Sequence, residues 1–441
     1  MGQGLSGVAL QSRLARTVGA ASTALAMAMG LAACGAGGDD SSGEEGQTVT
    51  VLVEGGGKAE LEPVAEAFTD ETGTKVSLVE LPYDGLYDRL SSEFSSGSVS
   101  FDVAALDAIW LTGFADGVEP LDDMFTEEVE ADLFPALVEE AQVDGTFVGM
   151  PVWTNAEILF YRTDLFEDPK QQAAFEKKYG YPLAPPTDWQ QFQDMAAFFT
   201  QDTDGDGSID LYGTDVKGAV ETEWLAHVAQ AGSPGMVLDE EGNVIIDNAE
   251  HLAALDFYTE AVADAPEGAS QVDWAAAQNL FNQGQVAMTK FWAHAYPQIP
   301  EDAKVKGKVG AAPMIAGDAG IGAVPGNWYL SIPKAGDNKE LAQDFIQFAY
   351  DHNDLSIDSA LGLAARKSAF EKYADRPGYE HFDALIATLE GPATMPRPAN
   401  AKWQQIVDTA LIPMIQKAVE PGADNQALLD EAKAQIEEIL G

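Results

Sequence analysis

Asp107 and Trp110 stand just past the end of a predicted strand, Phe101 to Leu106. A carboxylate three residues from an indole suits a ligand with hydroxyls at its edges and C–H groups on its faces. The carboxyl ends of strands in open α/β sheets are where such ligands bind. A second constellation, Asp202-Thr203-Asp204-Gly205-Asp206-Gly207-Ser208-Ile209-Asp210, matches the first nine positions of a calcium loop, with oxygen ligands at alternating places and glycine at the sharp turn. Its candidate ligand set is Asp202, Asp204, Asp206, Ile209 and Asp210. Gly213 occupies the twelfth position, where glutamate is usual, so an ion there is held weakly or completes its shell elsewhere. A plain acidic turn is the competing reading. A structural calcium is the one cofactor the pattern suggests, and none is required.

Local signatures of catalysis are missing from the sequence. The five histidines, His227, His251, His294, His352 and His381, are scattered, and neither His-Glu-x-x-His, Gly-x-Ser-x-Gly nor a phosphate loop occurs. The 72 acidic residues leave room for a carboxylate pair, so a secreted glycoside hydrolase stays as the alternative to a binding protein that is not an enzyme.

The single cysteine, Cys34, excludes a disulfide within the chain. It follows Leu31-Ala32-Ala33 at the end of an alanine-rich run that begins after Arg13 and Arg16, which is the layout of an export signal. The run is too short for a membrane span, which needs about 20 apolar residues. Leu31-Ala32-Ala33-Cys34 resembles the bacterial lipobox, which implies cleavage after residue 33 and acylation of Cys34. Stable membrane tethering follows from at least two acyl chains. Residues 34–47, rich in Gly, Ser and acid, form a tether spanning about 20 Å. The expected location is therefore extracytoplasmic, on the outer face of the membrane.

A net charge of −48 over 441 residues repels phosphate backbones, which excludes nucleic acid as a partner. The 46% hydrophobic content and eight tryptophans support a large core. A β-branched run from Thr48 to Val53, a glycine turn, a helix with Leu61, Val64, Ala65 and Phe68 on one face, Gly73 as its stop, and a strand from Val76 to Leu81 make a βαβ unit. Leu86 to Phe94 reads as the next helix. Repeated units of this kind predict a parallel sheet covered on both faces. Thr187 and Gln190 form a capping box opening a helix to about Phe199, and Asp424 to Leu440 reads as a terminal amphipathic helix.

Six segments in order resemble the family 1 extracellular solute-binding proteins, the group that includes maltose-binding protein. They are the opening strand and helix to Glu71-Thr72-Gly73; Phe101-Asp102-Val103 with Asp107 and Trp110; Gly149 to Asn155 running into Phe160-Tyr161-Arg162; Pro186 to Trp189; Phe281 to Met288 with Trp292; and Trp328 to Pro333 followed by Asn338 to Ala342. The resemblance implies an α/β fold of the type II periplasmic-binding-protein kind, two lobes of mostly parallel sheet flanked by helices and joined by a multi-segment hinge. Residues 48–155 plus 293–333 are expected in the N-terminal lobe and 156–292 plus 334–441 in the C-terminal lobe. Crossings are expected near Asn155–Glu157, Lys290–Ala293 and Ile332–Ala335.

The implied function is capture of a sugar or polyol for an ABC permease and ATPase by lobe closure, as a monomer. Alternative ligands are polyamine, iron or peptide. The resemblance implies ligand contacts at Asp107, Trp110, Trp153, Asn155, Glu157, Trp292, Trp328, Arg366 and Trp403, with weaker candidates at Glu54, Tyr83, Asp84 and Trp224.

Overall fold

The computed structural model describes residues 47–239, 241–359 and 361–441. The export signal and Cys34 lie outside the described residues, as does the tether up to residue 46. Among the described residues no helix is long and apolar enough to cross a membrane.

Among the described residues, eight strands build the two larger sheets, and two short hairpins lie outside them. The first sheet contains β1 (Thr48–Glu54), β2 (Lys75–Leu81), β3 (Val103–Asp107), β4 (Met150–Trp153) and β8 (Trp328–Ser331) in the order β2-β1-β3-β8-β4. β1 runs parallel to β2 and β3, whereas β8 is antiparallel to both β3 and β4. The second sheet is antiparallel and has the order β6-β5-β7, from β5 (Glu157–Arg162), β6 (Met288–Trp292) and β7 (Val309–Ala312).

Local sequence explains the first sheet well. Val49, Val51, Leu52 and Val53 of β1 and all of β3 are buried, as expected of strands covered on both faces. Helix Gly57–Thr72 buries Leu61, Val64, Ala65 and Phe68, and Gly73 ends it at φ 75°, a left-handed conformation that glycine adopts without steric cost. Helix Lys339–Asp351 also covers this sheet, setting Phe345 edge-on to Phe68 at 5.4 Å between ring centroids.

One local expectation shifts by a residue and another is met. Helix Trp189–Phe199 is capped by Asp188, whose carboxylate accepts from the Gln191 amide at 2.9 Å. The cap is therefore one residue later than Thr187, because a carboxylate at that position reaches the orphan amide of the first turn. The terminal helix runs Asn425–Leu440 with Asp424 as its cap and Leu429, Ala432 and Ile436 buried.

The segment boundaries also shift. Strand β7 pairs with β5, Leu159 opposite Ala312, so the chain from 293 to about 321 belongs with the second sheet and not the first. Helix Lys339–Asp351 packs on the first sheet, so the chain beyond 333 stays there until about residue 374. The crossings accordingly lie at 154–156, between β4 and β5; at 322–327, leading into β8; and near 375–380, between helix Lys367–Ala374 and helix His381–Leu389. Neither Lys290–Ala293 nor Ile332–Ala335 crosses. Short strands such as β7 are assigned to a sheet by partners far away in sequence, and local pattern does not carry that information.

Candidate ligand site between the two halves

Because β1, β2 and β3 are parallel, their carboxyl ends share one edge of the first sheet. Glu54 ends β1, Tyr83 follows β2, and Asp107 ends β3. Antiparallel β8 begins at that same edge, pairing Trp328 with Asp107 on one side and Trp153 on the other. The topology thus lines up two carboxylates, a phenol and two indoles from five strands.

Asp107 is fully engaged. It caps helix Ala108–Phe114 by accepting from the Ile109 amide, its Oδ2 accepts from the Tyr83 hydroxyl at 3.0 Å, and its Oδ1 accepts from Arg397 Nη2 at 3.0 Å. Around it stands an aromatic wall: Tyr83 and Trp110 at 4.6 Å, Trp110 and Trp328 at 5.5 Å, Trp153 and Trp328 stacked at 5.6 Å. Gly57 has to be glycine here, since a Cβ would come within 2.9 Å of the Trp153 ring.

Arg397 reaches this edge from the second half. The strap that carries it is held by Ala393 N–H to the Ile321 carbonyl at 2.9 Å and Met395 N–H to the Ala323 carbonyl at 3.1 Å. The Asp107–Arg397 ion pair therefore joins the two halves, with side chains only 8% and 11% exposed. Glu221, at the start of helix Thr222–Gln230 in the second half, acts electrostatically on both Tyr83 and Arg397.

The crossings are tied to each other beside this edge. Gly326 N–H donates to the Asn155 carbonyl at 2.8 Å, and the Asn155 amide donates to His294 Nδ1 at 2.6 Å. Trp292 lies against Gly326, where a Cβ would meet its ring at 2.9 Å. Glu140 Oε2 accepts from the Asn327 amide and, at 3.1 Å, from the Tyr329 hydroxyl, while Glu140 Oε1 is buried without a partner among the described residues.

The electrostatics follow from burial. Burial pushes Glu54 up to about 7, and the charges of Asp107 and Glu80 add to the effect. Burial also pushes Glu140 up to about 7, against the opposing pull of Arg397. Glu221 is raised, again chiefly by burial.

Asp107, Trp110, Trp153 and Trp328 are brought together at the edge, and Asn155 and Trp292 lie beside it at the crossings. Glu157 and Arg366 sit elsewhere. Glu157 opens β5 inside a buried network with Lys217, Glu223, Lys290 and Thr222. Arg366 is bound to Asp132 at 2.7 Å and to the carbonyls of Tyr350 and Asp351, where it fastens helix ends of the first half. Trp403 is 1% exposed and Trp224 is fully buried, and both indole N–H groups lack an acceptor among the described residues. Arg397, Glu140 and Glu221 had no periodic signal in the sequence; Pro396-Arg397-Pro398, a lone cation in a proline-rich stretch, was the one available hint.

The acidic loop lies apart from this site. Carboxylate oxygens of Asp202, Asp204 and Asp210 come within 4.8 Å of one another. Asp206 turns instead to the Ser208 amide at 2.8 Å, and Ile209 is 42% exposed.

Two α/β halves, three crossings and a charged, aromatic seam between them define a hinged two-lobed ligand-binding protein of the type II periplasmic architecture. The chain belongs to the bacterial extracellular solute-binding proteins, whose family model matches residues 53–353. A probable ABC transporter-binding protein of Deinococcus radiodurans is 27% identical over 388 residues, covering 83% of this chain and 88% of the relative. A maltooligosaccharide ABC transporter solute-binding lipoprotein of Streptococcus pneumoniae is 25% identical over 418 residues, covering 91% and 90%. The fold also matches the ribitol-bound solute-binding protein of Agrobacterium radiobacter, with a TM-score of 0.70 and 24% identity over 89% of this chain and 99% of that one.

The raised carboxyls give a signed pH dependence. A folded chain that holds these protons longer than the unfolded chain does has stability that is complete below the ordinary glutamate range and is lost as pH rises through about 7. These two carboxyls contribute a fall in melting temperature from about pH 5 to about pH 8, opposed below about pH 6.5 by the buried histidines His227, His251, His294 and His381, and Glu140→Gln, which is neutral throughout, is expected to remove its own share of the fall. Parallel slopes for variant and wild type in thermal melts would reject the assignment for Glu140.

Proposed function

We propose that this chain captures a sugar or polyol outside the cytoplasm and delivers it to an ABC permease and its ATPase. The observation that carries the reading is the seam itself, where Glu54, Tyr83 and Asp107 from three parallel strand ends meet a wall of Trp110, Trp328 and Trp153. Carboxylates accept from ring hydroxyls, and indole faces cover C–H surfaces. The maltooligosaccharide and ribitol carried by the relatives' names belong to the same chemistry. Ligand touching both halves stabilises the closed arrangement, and closure needs only a few dihedral changes at 154–156, 322–327 and 375–380. Binding without turnover distinguishes this reading from a hydrolase.

The test is a melting screen of the purified protein against monosaccharides, oligosaccharides, polyols, polyamines and peptides. A true ligand at 100 times its Kd adds about 2.7 kcal/mol and is recovered unchanged. Cleavage of a glycan, or stabilisation by peptides alone, would overturn the proposal.

Anchoring through an acylated Cys34 is part of the same proposal, supported by Leu31-Ala32-Ala33-Cys34 and by the streptococcal lipoprotein relative. Cys34→Ser is expected to shift the protein from the membrane fraction to the soluble one; an unchanged distribution would refute the anchor.

The 202–210 loop is proposed to hold a weak structural calcium on Asp202, Asp204 and Asp210, supported by their converging oxygens. Millimolar calcium should raise the melting temperature of the wild type but not of Asp202→Ala. A wild type that ignores calcium would leave the segment as an acidic turn.

A further inference from the structure

The second crossing begins in backbone that is held from two sides. The strap that carries Arg397 takes the carbonyls of Ile321 and Ala323, through the amides of Ala393 and Met395. The carbonyl between them, at Gly322, is taken from elsewhere and accepts from Gln230 Nε2 at 2.7 Å. Gly322 is pressed against the strap, since a Cβ there would come within 2.4 Å of the Ala393 carbonyl oxygen. The backbone carbonyl of Gln230 also accepts from the Ala319 amide at 2.9 Å, so one residue fastens both the hairpin before the crossing and the first turn of the crossing itself. On the far side, the Asn327 carbonyl accepts from the Ala108 amide of the first half at 3.1 Å. Residues 324–326 are what remains between the two attachments.

The orientation of the Gln230 side chain is fixed by its neighbours. It is fully buried at the end of helix Thr222–Gln230, and its Oε1 accepts from Trp189 Nε1 at 2.7 Å. An indole N–H can only donate, so the amide oxygen must face Trp189 and the amide nitrogen must face Gly322. His227 Nδ1 lies 2.9 Å from the same oxygen and is therefore a donor, which leaves His227 Nε2 to accept from Lys290 Nζ at 3.0 Å. That assignment needs a neutral imidazole, and burial followed by the Lys290 charge pushes His227 down to about 3. Lys290 is held in turn by Glu223 at 2.9 Å. Each donor and acceptor from Glu223 to Gly322 is thus set by the next.

We infer that Gln230 is a positioning residue for closure: by holding Gly322 to the second half it confines bending of the second crossing to residues 324–326. It touches neither the aromatic wall nor Asp107, and it acts through the crossing and the strap. With that bond in place, the strap and its Arg397 move with the second half as one body. Without it, the mobile stretch extends back to residue 321 and loosens the strap fastened there. The inference rests on the reading of the chain as a hinged receptor and is independent of which ligand it binds.

The test is amide hydrogen exchange, read by mass spectrometry on the purified protein with no ligand added, for wild type, Gln230→Met and Trp189→Phe. Gln230→Met keeps similar volume and removes the donor to Gly322. Trp189→Phe removes a donor to the same glutamine and leaves the Gly322 bond in place. Both are expected to lower the melting temperature. Only Gln230→Met is expected to speed exchange in peptides covering 321–328 and 391–397, which contain the Gly326, Ala393 and Met395 amides, by about tenfold, while β5 and β6 keep wild-type rates. If Gln230→Met does not fold, the pair Trp189→Phe with Gln230→Met also removes the indole donor left without an acceptor and is read in its place. Wild-type exchange in those two peptides would overturn the inference. Equal acceleration by Trp189→Phe alone, or acceleration spread over β5 and β6, would also overturn it by reducing Gln230 to a support of the fold. Neither result bears on the melting screen, so a sugar receptor whose hinge is set elsewhere stays distinguishable from a chain that binds no sugar.

Discussion

The entry of β8 between β3 and β4 is the constraint on which the site depends. This strand is contributed only after the chain has built the second sheet and returned, and its antiparallel register puts Trp328 level with Asp107 and Trp153. The return path therefore lies beside the outgoing one, and Gly326 binds Asn155 across the two. A small residue at 326 lets Trp292 approach, and Asn327 one place later ties the crossing to Glu140. Hinge, aromatic wall and carboxylate edge thus share one origin in strand pairing.

Closure adds a second layer. The Asp107–Arg397 pair is almost completely covered, and a buried ion pair contributes little net stability because desolvation offsets most of the Coulomb attraction. Its value is geometric. Arg397 is placed by a strap bonded to Ile321 and Ala323, at the start of the second crossing, so motion of the halves and position of the guanidinium are coupled. A ligand that contacts Asp107, Arg397 or the rings between them acts directly on that coupling.

The parts legible in sequence were those decided locally. The β-branched run of β1, the buried face Leu61-Val64-Ala65-Phe68 and the Gly73 stop all follow from side-chain type and spacing, and Asp107 with Trp110 followed from its place after a strand. What escaped was decided at long range. The four residues of β7 carry no mark of their partnership with Leu159, and Arg366 gives no local sign that Asp132, 234 residues away, holds it. Glu157 looked like a cleft residue because it adjoins a crossing, yet pairing opposite Trp292 takes it into the interior of the second half. Arg397 carries no local mark of its role, because a loop residue has no period to reveal its direction.

A comparison inside the same molecule sharpens the meaning of the seam's charges. In the second half, Lys217 contacts Asp215 at 2.8 Å and Glu223 at 2.6 Å, and Lys290 contacts Glu223 at 2.9 Å, all with side chains at most 2% exposed. Burial and the Glu223 charge raise Glu157, so it stays protonated there and two cations face two carboxylates. His227 is held neutral, chiefly by burial and then by Lys290. The fold therefore balances charge closely where solvent never enters. At the seam burial likewise raises Glu54, Glu140 and Glu221, which relieves their charge by protonation and leaves Arg397 paired with Asp107. Both regions thus lower the cost of buried carboxyls in the same way, by holding a proton longer on those without a cation at salt-bridge distance.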